Sequence, residues 1–254
     1  MSNLVLQQDA QSLHIIINRA EKKNSLTYAM YAELAEAIEA AKDNDNIRVI
    51  RISGAGDCFT AGNDLADFVS AAKNADVSPT VRFMKALMQC PKPVVAQVHG
   101  LAVGIGTTLL LHCDLVYCAT GTKFVLPFIN LGLVPEYASS YLLPKLAGHH
   151  KAAEWLMLGE PFDAEQAQQC GLVNGVLPIA ELSSYVDTII AKLVAKPHFA
   201  MQQTKALMKS QHQQVLTHMD EELDIFIEQL SSEAAKEAFA AFLEKRAPDP
   251  TKFR

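Results

Sequence analysis

Three short segments carry residues whose types and spacing suit chemistry at a carbonyl group. The first is Phe59-Thr60-Ala61-Gly62-Asn63-Asp64-Leu65. Small residues at 61 and 62 let a ligand approach the backbone, and Asp64 is placed to cap a following helix. The second is His99-Gly100-Leu101-Ala102-Val103-Gly104-Ile105-Gly106-Thr107-Thr108. Its three glycines precede an apolar helical run, where free backbone N–H groups gather and favour negative charge. The spacing G-x-x-x-G-x-G fits neither the dinucleotide fingerprint nor a phosphate loop, and no lysine follows to meet a phosphate. The third runs from Asn130 to Ser140 and holds a lone carboxylate, Glu136, among Leu133, Val134 and Tyr137. Desolvation there disfavours the charged form and raises the pKa, which suits a general base.

Taken singly, each segment also reads as ordinary structure: a glycine turn with a cap, a tight turn without ligand, a solvated loop glutamate. Together they are the parts of an enolate-forming site. Two backbone donors from separate loops would hold a carbonyl oxygen as charge develops on it, and one carboxylate would take the neighbouring proton.

Such loops need strand-to-helix junctions, where open α/β sheets place their ligands. The β-branched run at 13–17 predicts a strand. Met30, Leu34, Ile38 and Ala41 fall at helical spacing, so a helix is expected over 27–42 with Thr27 as N-cap. A strand follows at 47–52, a helix at 81–90, a strand at 93–98, a helix through Leu109-Leu110-Leu111 and a strand at 115–119. This alternation predicts parallel strands joined by crossover helices. Past residue 145 the pattern turns helical, over 151–158, 164–170, 182–195, 200–209, 216–230 and 232–246, with a short strand in 173–177. The reading is an α/β core over 1–190 and a helical C-terminal region over 191–254. That region is too lean in large apolar residues for a separate globule and is expected to pack on the core or on neighbouring subunits.

Composition narrows the classes. The 254 residues include 22 Lys and Arg against 28 Asp and Glu, a net charge of −6, and half are hydrophobic. Global disorder is excluded, and the acidic balance argues against a nucleic-acid partner. No apolar run reaches the roughly 18 residues of a membrane span. Met1-Ser2-Asn3-Leu4 lacks a secretory pattern and Lys252-Phe253-Arg254 is not a peroxisomal address, so a cytoplasmic location is expected. Cys58, Cys90, Cys113, Cys118 and Cys170 lack metal or redox spacing and read as reduced thiols. The eight histidines suggest no metal site, and Ser139-Ser140 lacks a nucleophile-elbow context. Lys22, Lys23 and Lys92 could meet phosphates but read first as solvated surface charges, and Trp155 as a packing residue.

Three motifs then converge. The segment from Ile17 to Leu26, I-N-R-A-E-K-K-N-S-L, is similar to N-R-P-x-x-x-N-A-L; Phe59 to Leu65 is similar to F-x-A-G-x-D-L; His99 to Gly106 begins H-G and continues into a glycine turn. Through these the chain resembles the crotonase family, the enoyl-CoA hydratase/isomerase superfamily. The resemblance implies a spiral ββα core, acyl-CoA thioester substrates and homotrimers or homohexamers. It implies oxyanion donors at the N–H groups of Ala61 and Ile105, and substrate contacts at Ala61, Gly62, Asn63, Asp64, Leu65, Gly104, Ile105 and Phe128. No cofactor is implied, since CoA arrives with the substrate. The family's hydratases carry two glutamates where this chain has Thr108 and Phe128, and Ile105 replaces the middle glycine of the usual G-G-G, so its side chain must point away from the thioester. The loop from Gly132 to Glu136 resembles the Δ3,Δ2-enoyl-CoA isomerase branch, in which Glu136 would be the base. The expected function is that isomerase. A hydratase, another reaction of the family such as thioester hydrolysis, and a non-catalytic acyl-CoA binder are the alternatives.

Overall fold

The computed structural model describes residues 2–9, 11–67 and 77–253. The chain opens with β1 (Leu4–Gln8), β2 (Ser12–Ile17), α1 (Tyr28–Asp43) and β3 (Val49–Gly54). Next come α2 (Ser78–Gln89), β4 (Val94–Val98), β5 (Leu101–Val103), α3 (Ile105–Thr108), β6 (Leu115–Ala119) and β7 (Lys123–Val125). The remainder is α4 (Ser139–Ala147), α5 (His149–Leu158), β8 (Phe162–Asp163), α6 (Ala164–Gln169), β9 (Gly175–Leu177), α7 (Ile179–Val194), α8 (His198–Met208), α9 (His212–Leu230) and α10 (Glu233–Glu244).

Two sheets result. The larger has the order β1-β2-β3-β4-β6-β9, and the smaller β5-β7-β8. Every pairing in the larger sheet beyond β1–β2 is parallel. Consecutive strands β4 and β5, and again β6 and β7, sit in different sheets. The chain therefore steps between layers before each crossover, which makes a spiral of ββα turns.

Local chemistry explains the elements that carry the site. The Thr27 hydroxyl accepts from the Met30 N–H at 3.3 Å and starts α1, which buries Met30, Tyr31, Leu34 and Ile38. Helix α2 packs on α1 with Phe83, Met84, Leu87 and Met88 buried, its Phe83 ring 5.6 Å from that of Tyr31. Residues from α9 and α10, among them Met219, Phe226, Leu230, Ala235 and Phe239, join the same hydrophobic core as the strands. Trp155 is a packing residue, stacked on Phe162 at 4.0 Å. Among the described residues no helix is long and apolar enough to cross a membrane.

Several features depart from the sequence reading. Strands β1, β5, β7 and β8 carried no recognised signal; the last three span two or three residues each, too few to display a period. The helix expected through Leu109-Leu110-Leu111 is one α-turn followed by a 3-10 turn over Leu109–His112. Helix α4 escaped notice because Pro144 lies inside it and Ala138, not a capping residue, precedes it. Lys92 is not a surface charge: it is 1% exposed, and its ammonium donates to the carbonyls of Ala41 at 2.5 Å and Asn44 at 2.6 Å, closing the C-terminus of α1.

Candidate active site

The first two loops are zipped together. The Phe59 N–H donates to His99 O at 2.8 Å, the Thr60 N–H to Leu101 O at 3.1 Å, and the Val103 N–H to Thr60 O at 3.1 Å. Glycine is required where they touch. A Cβ on Gly62 would lie 2.6 Å from Val103 O, and one on Gly106 would lie 2.5 Å from Thr60 Cγ2. The segment 19–26 wraps the outside. Asn24 is buried, with its side-chain amide donating to Ala55 O and Cys58 O at 2.7 Å each, and Arg19 pairs with Asp64 at 2.6 Å.

Following each N–H through the first loop corrects the expected donor. The Ala61 N–H already donates to Lys23 O at 2.9 Å, so it is not free to hold an oxyanion. The Gly62 N–H is used by Thr60 Oγ at 3.1 Å and the Asp64 N–H by Leu26 O at 2.8 Å. That leaves Asn63, whose N–H has no acceptor among the described residues. The reason is a parallel bridge in which Leu26 bonds to the residues on either side of Asn63, so Asn63's own peptide group turns away. In the second loop the Gly104 N–H donates to Val125 O at 2.9 Å. Gly104 adopts φ 56° and ψ −120°, and α3 starts at the next residue. The Ile105 N–H, first of that helix, has no intrahelical partner. Its side chain is fully buried in the hydrophobic core.

The other expected contact residues divide. Asp64 caps the following turn through the N–H groups of Ala66 at 3.1 Å and Asp67 at 3.3 Å, and its second oxygen takes Arg19. Both oxygens are thus engaged by protein. Leu65 is half-buried against the core and Phe128 is buried within it. Asn63 accepts a hydrogen bond from the buried Tyr31 hydroxyl.

Asn63 also lines a narrow apolar cavity, and Glu136 lines it too. Thr80, Val81 and Met84 of α2 form one wall and Met219, Leu223 and Phe226 of α9 another. Glu136 is buried, and its Oε1 has no hydrogen-bond partner among the described residues. Burial, with the charge of Glu222 adding to it, pushes the Glu136 carboxyl up to about 8. The carboxylate predicted to be desolvated is so.

The turn behind Glu136 is strained. Tyr137 and Ala138 both lie in the left-handed region, at φ 61° and 56°. Such residues persist only where their surroundings over-determine them, at about 1–3 kcal/mol each. The Tyr137 hydroxyl donates to Met84 O at 2.7 Å, and its ring stacks on His112 at 3.8 Å. His112 Nε2 lies 2.8 Å from Tyr137 O; a carbonyl only accepts, so Nε2 carries the hydrogen. Burial holds the His112 pKa down to about 3, which keeps the ring neutral. The Ser139 hydroxyl donates to Glu136 O at 2.6 Å. Glu222, from α9, accepts from the N–H groups of Ala138 at 2.6 Å and Ser140 at 2.9 Å. Glu222 went unrecognised in the sequence reading. Its one signal was a carboxylate on the buried stripe Met219, Glu222, Phe226, Leu230 of an amphipathic helix. Among the described residues no three His, Cys, Asp or Glu side chains gather as metal ligands.

A ββα spiral with two interlocked glycine loops and a desolvated carboxylate defines an enzyme of the crotonase class. The enoyl-CoA hydratase/isomerase profile matches residues 8–252, and the chain belongs to that family. It is 34% identical over 247 residues to the 1,2-epoxyphenylacetyl-CoA isomerase of Escherichia coli (strain K12), across 93% of this chain and 94% of that one. It is 36% identical over 214 residues to enoyl-CoA delta isomerase 2 of Rattus norvegicus, which spans 82% of this chain and 54% of that protein. The crystal structure of an enoyl-CoA hydratase/isomerase from Pseudoalteromonas atlantica T6c superposes with a TM-score of 0.93 at 38% identity, covering 98% of this chain and 99% of that one.

Proposed function

We propose that this protein is a Δ3,Δ2-enoyl-CoA isomerase that works through one carboxylate. The observation that carries this reading is Glu136, the single acid lining the cavity among the described residues, buried and without a partner for Oε1. In the reaction Glu136 removes a C2 proton from a 3-enoyl-CoA. The thioester oxygen takes the negative charge of the dienolate and is held by the N–H groups of Asn63 and Ile105. The same carboxyl, now protonated, returns the proton at C4. One base serves both carbons because both lie on one face of a planar dienolate. Hydration asks for groups that hold and activate water; Thr108 and Phe128 stand where the family's hydratases have glutamates, and both are buried.

The acyl chain favoured by this cavity is uncharged. Apart from Glu136 the described lining is apolar or neutral, so it offers no cation to a second carboxylate on the substrate. We further infer a homotrimer or homohexamer, for which the exposed Phe199, Leu207 and Met208 of α8 and Phe242 and Leu243 of α10 supply uncovered apolar surface, and a cytoplasmic setting. The direct test supplies 3-hexenoyl-CoA and 2-hexenoyl-CoA separately and follows product mass. Isomerisation of the 3-enoyl compound leaves mass unchanged. Gain of one water by the 2-enoyl compound at about 10 per second, an ordinary enzyme turnover, would replace this reading with a hydratase.

A further inference from the structure

We propose that Glu222 is a positioning residue for Glu136: from α9 its carboxylate grips the backbone of the turn that carries the base, and so sets where the Glu136 carboxyl points and what charge it faces. This rests on the reading of Glu136 as the proton carrier.

The grip is two-sided. Glu222 Oε2 accepts from the Ala138 N–H at 2.6 Å, while Oε1 accepts from the Ser140 N–H at 2.9 Å and the Ser140 hydroxyl at 2.5 Å. These donors sit two and four residues beyond Glu136, at the start of α4, where helical N–H groups otherwise lack partners. The two left-handed residues of this turn, Tyr137 and Ala138, lie between Glu136 and Ser140. An ionised carboxylate accepts at both oxygens with no hydrogen of its own in the way; an amide would turn its NH2 against one of the N–H groups. Helix α9 also brings Met219, Leu223 and Phe226 to the cavity. One helix thus supplies a wall of the acyl site and the clamp on its base.

The Glu222 charge acts on Glu136 and raises its carboxyl pKa. Burial pushes Glu222 up to about 7, against the opposing hydrogen bonds from Ser140 and Ala138. On its own helix His218 faces it, Nε2 standing 3.6 Å from Glu222 Oε1 and 2.8 Å from the Ser140 hydroxyl. From α1 comes the Tyr31 phenol, on the Glu136 side, and Tyr137 flanks the base. Helix α2 faces the cavity with neutral side chains, and its Lys85 pairs with Asp220 at 3.2 Å. On α10, Glu237 is engaged by Arg246 and Lys252.

The test uses the full chain carrying Glu222→Gln, Glu222→Asp or Ser140→Ala. Two readouts are taken: kcat and KM for 3-hexenoyl-CoA across pH, and the titration of the Glu136 carboxyl by 13C NMR, assigned by its loss in Glu136→Gln. Removing the neighbouring negative charge makes Glu136 easier to ionise. In Glu222→Gln its titration, and the rising limb of the rate, should move to lower pH by about one unit, the scale of coupled sites. Its kcat should fall about tenfold or more while KM changes little. Glu222→Asp should restore the titration but not kcat, because the shorter side chain keeps the charge and loses the reach. Ser140→Ala, which keeps the carboxylate but removes a donor that favours its charge, should move the Glu136 titration the same way by less. That variant decides the matter if Glu222→Gln does not fold. A Glu136 titration unmoved in the folded variants, with stability alone reduced, overturns the proposal. Since the titration requires no turnover, a parent protein that leaves 3-hexenoyl-CoA unchanged while these shifts occur refutes the isomerase reading and leaves the Glu222 clamp standing.

Discussion

Glu136 and Asn63 face the same narrow cavity, Glu136 from the turn before α4 and Asn63 from the loop after β3. The Tyr31 hydroxyl ties down the Asn63 side chain, while the Asn63 N–H is left without an acceptor among the described residues. Glu136, whose Oε1 has no partner among the described residues, and Asn63, whose N–H has none there either, thus line one apolar space. That is the arrangement a proton transfer next to a thioester oxygen needs.

Glu136→Gln keeps shape and hydrogen-bonding capacity but cannot carry the proton. Isomerase turnover should fall by about 10²–10⁴-fold. Affinity for a saturated acyl-CoA, measured by calorimetry, should barely change. Exchange of the C2 hydrogens of that ligand with deuterated water should occur in the parent and almost vanish in the variant. Equal exchange in both would place the base elsewhere.

Replacing the peptide N–H of Asn63 by an ester oxygen, by semisynthesis, removes the donor and weakens the Gly62 carbonyl as the acceptor of the Leu26 N–H. Turnover should drop by about 10²–10³-fold. The same change at Ala61 breaks the bond to Lys23 O and weakens Thr60 O as the acceptor of the Val103 N–H, so it should cost about 1 kcal/mol of stability and leave kcat near the parent value. The reverse pattern would return the oxyanion role to Ala61.

The raised Glu136 pKa links activity to stability in opposite directions. The folded protein holds this proton up to about pH 8, while the unfolded chain releases it near the ordinary carboxyl value of 4.5. Between those values the folded state binds more protons, so this group's contribution to stability falls as pH rises. Over the same window kcat/KM should rise as the base ionises. Thermal melts from pH 5 to 8 on parent and Glu136→Gln check the first part: the downward slope should be shallower in the variant.

Lys92 holds the end of α1, and its own carbonyl accepts from the buried ammonium of Lys205 at 2.7 Å. Lys92→Met should leave the Ala41 and Asn44 carbonyls short of a donor and cost about 1–3 kcal/mol in urea unfolding. KM for acyl-CoA should stay at the parent value. A several-fold rise in KM without loss of stability would instead make Lys92 a phosphate contact.

Much of this protein was legible in its residues alone. The β-branched runs, the Thr27 cap and the helical spacing in 30–41 marked the strands and α1, because these signals act over a few neighbouring residues. The glycines at 62 and 106 marked the loops, and an isolated Glu136 among apolar neighbours announced a desolvated carboxylate. What the residues could not disclose was decided by partners far along the chain. Asn63 rather than Ala61 presents the N–H without an acceptor among the described residues, because Lys23 and Leu26 take the N–H groups of Ala61 and Asp64. Lys92 is buried because the end of α1 needs its donors. The small sheet exists because strands of two or three residues are stabilised by pairing across the spiral, not by their own pattern. Glu222 meets Ala138 and Ser140 only once α9 has docked. Residue type and spacing determine which groups want burial, a turn or a cap. Which hydrogen bond remains unmade at the site is a property of the packed tertiary structure, since a backbone N–H is the same in every residue but proline and only its surroundings distinguish one from the next.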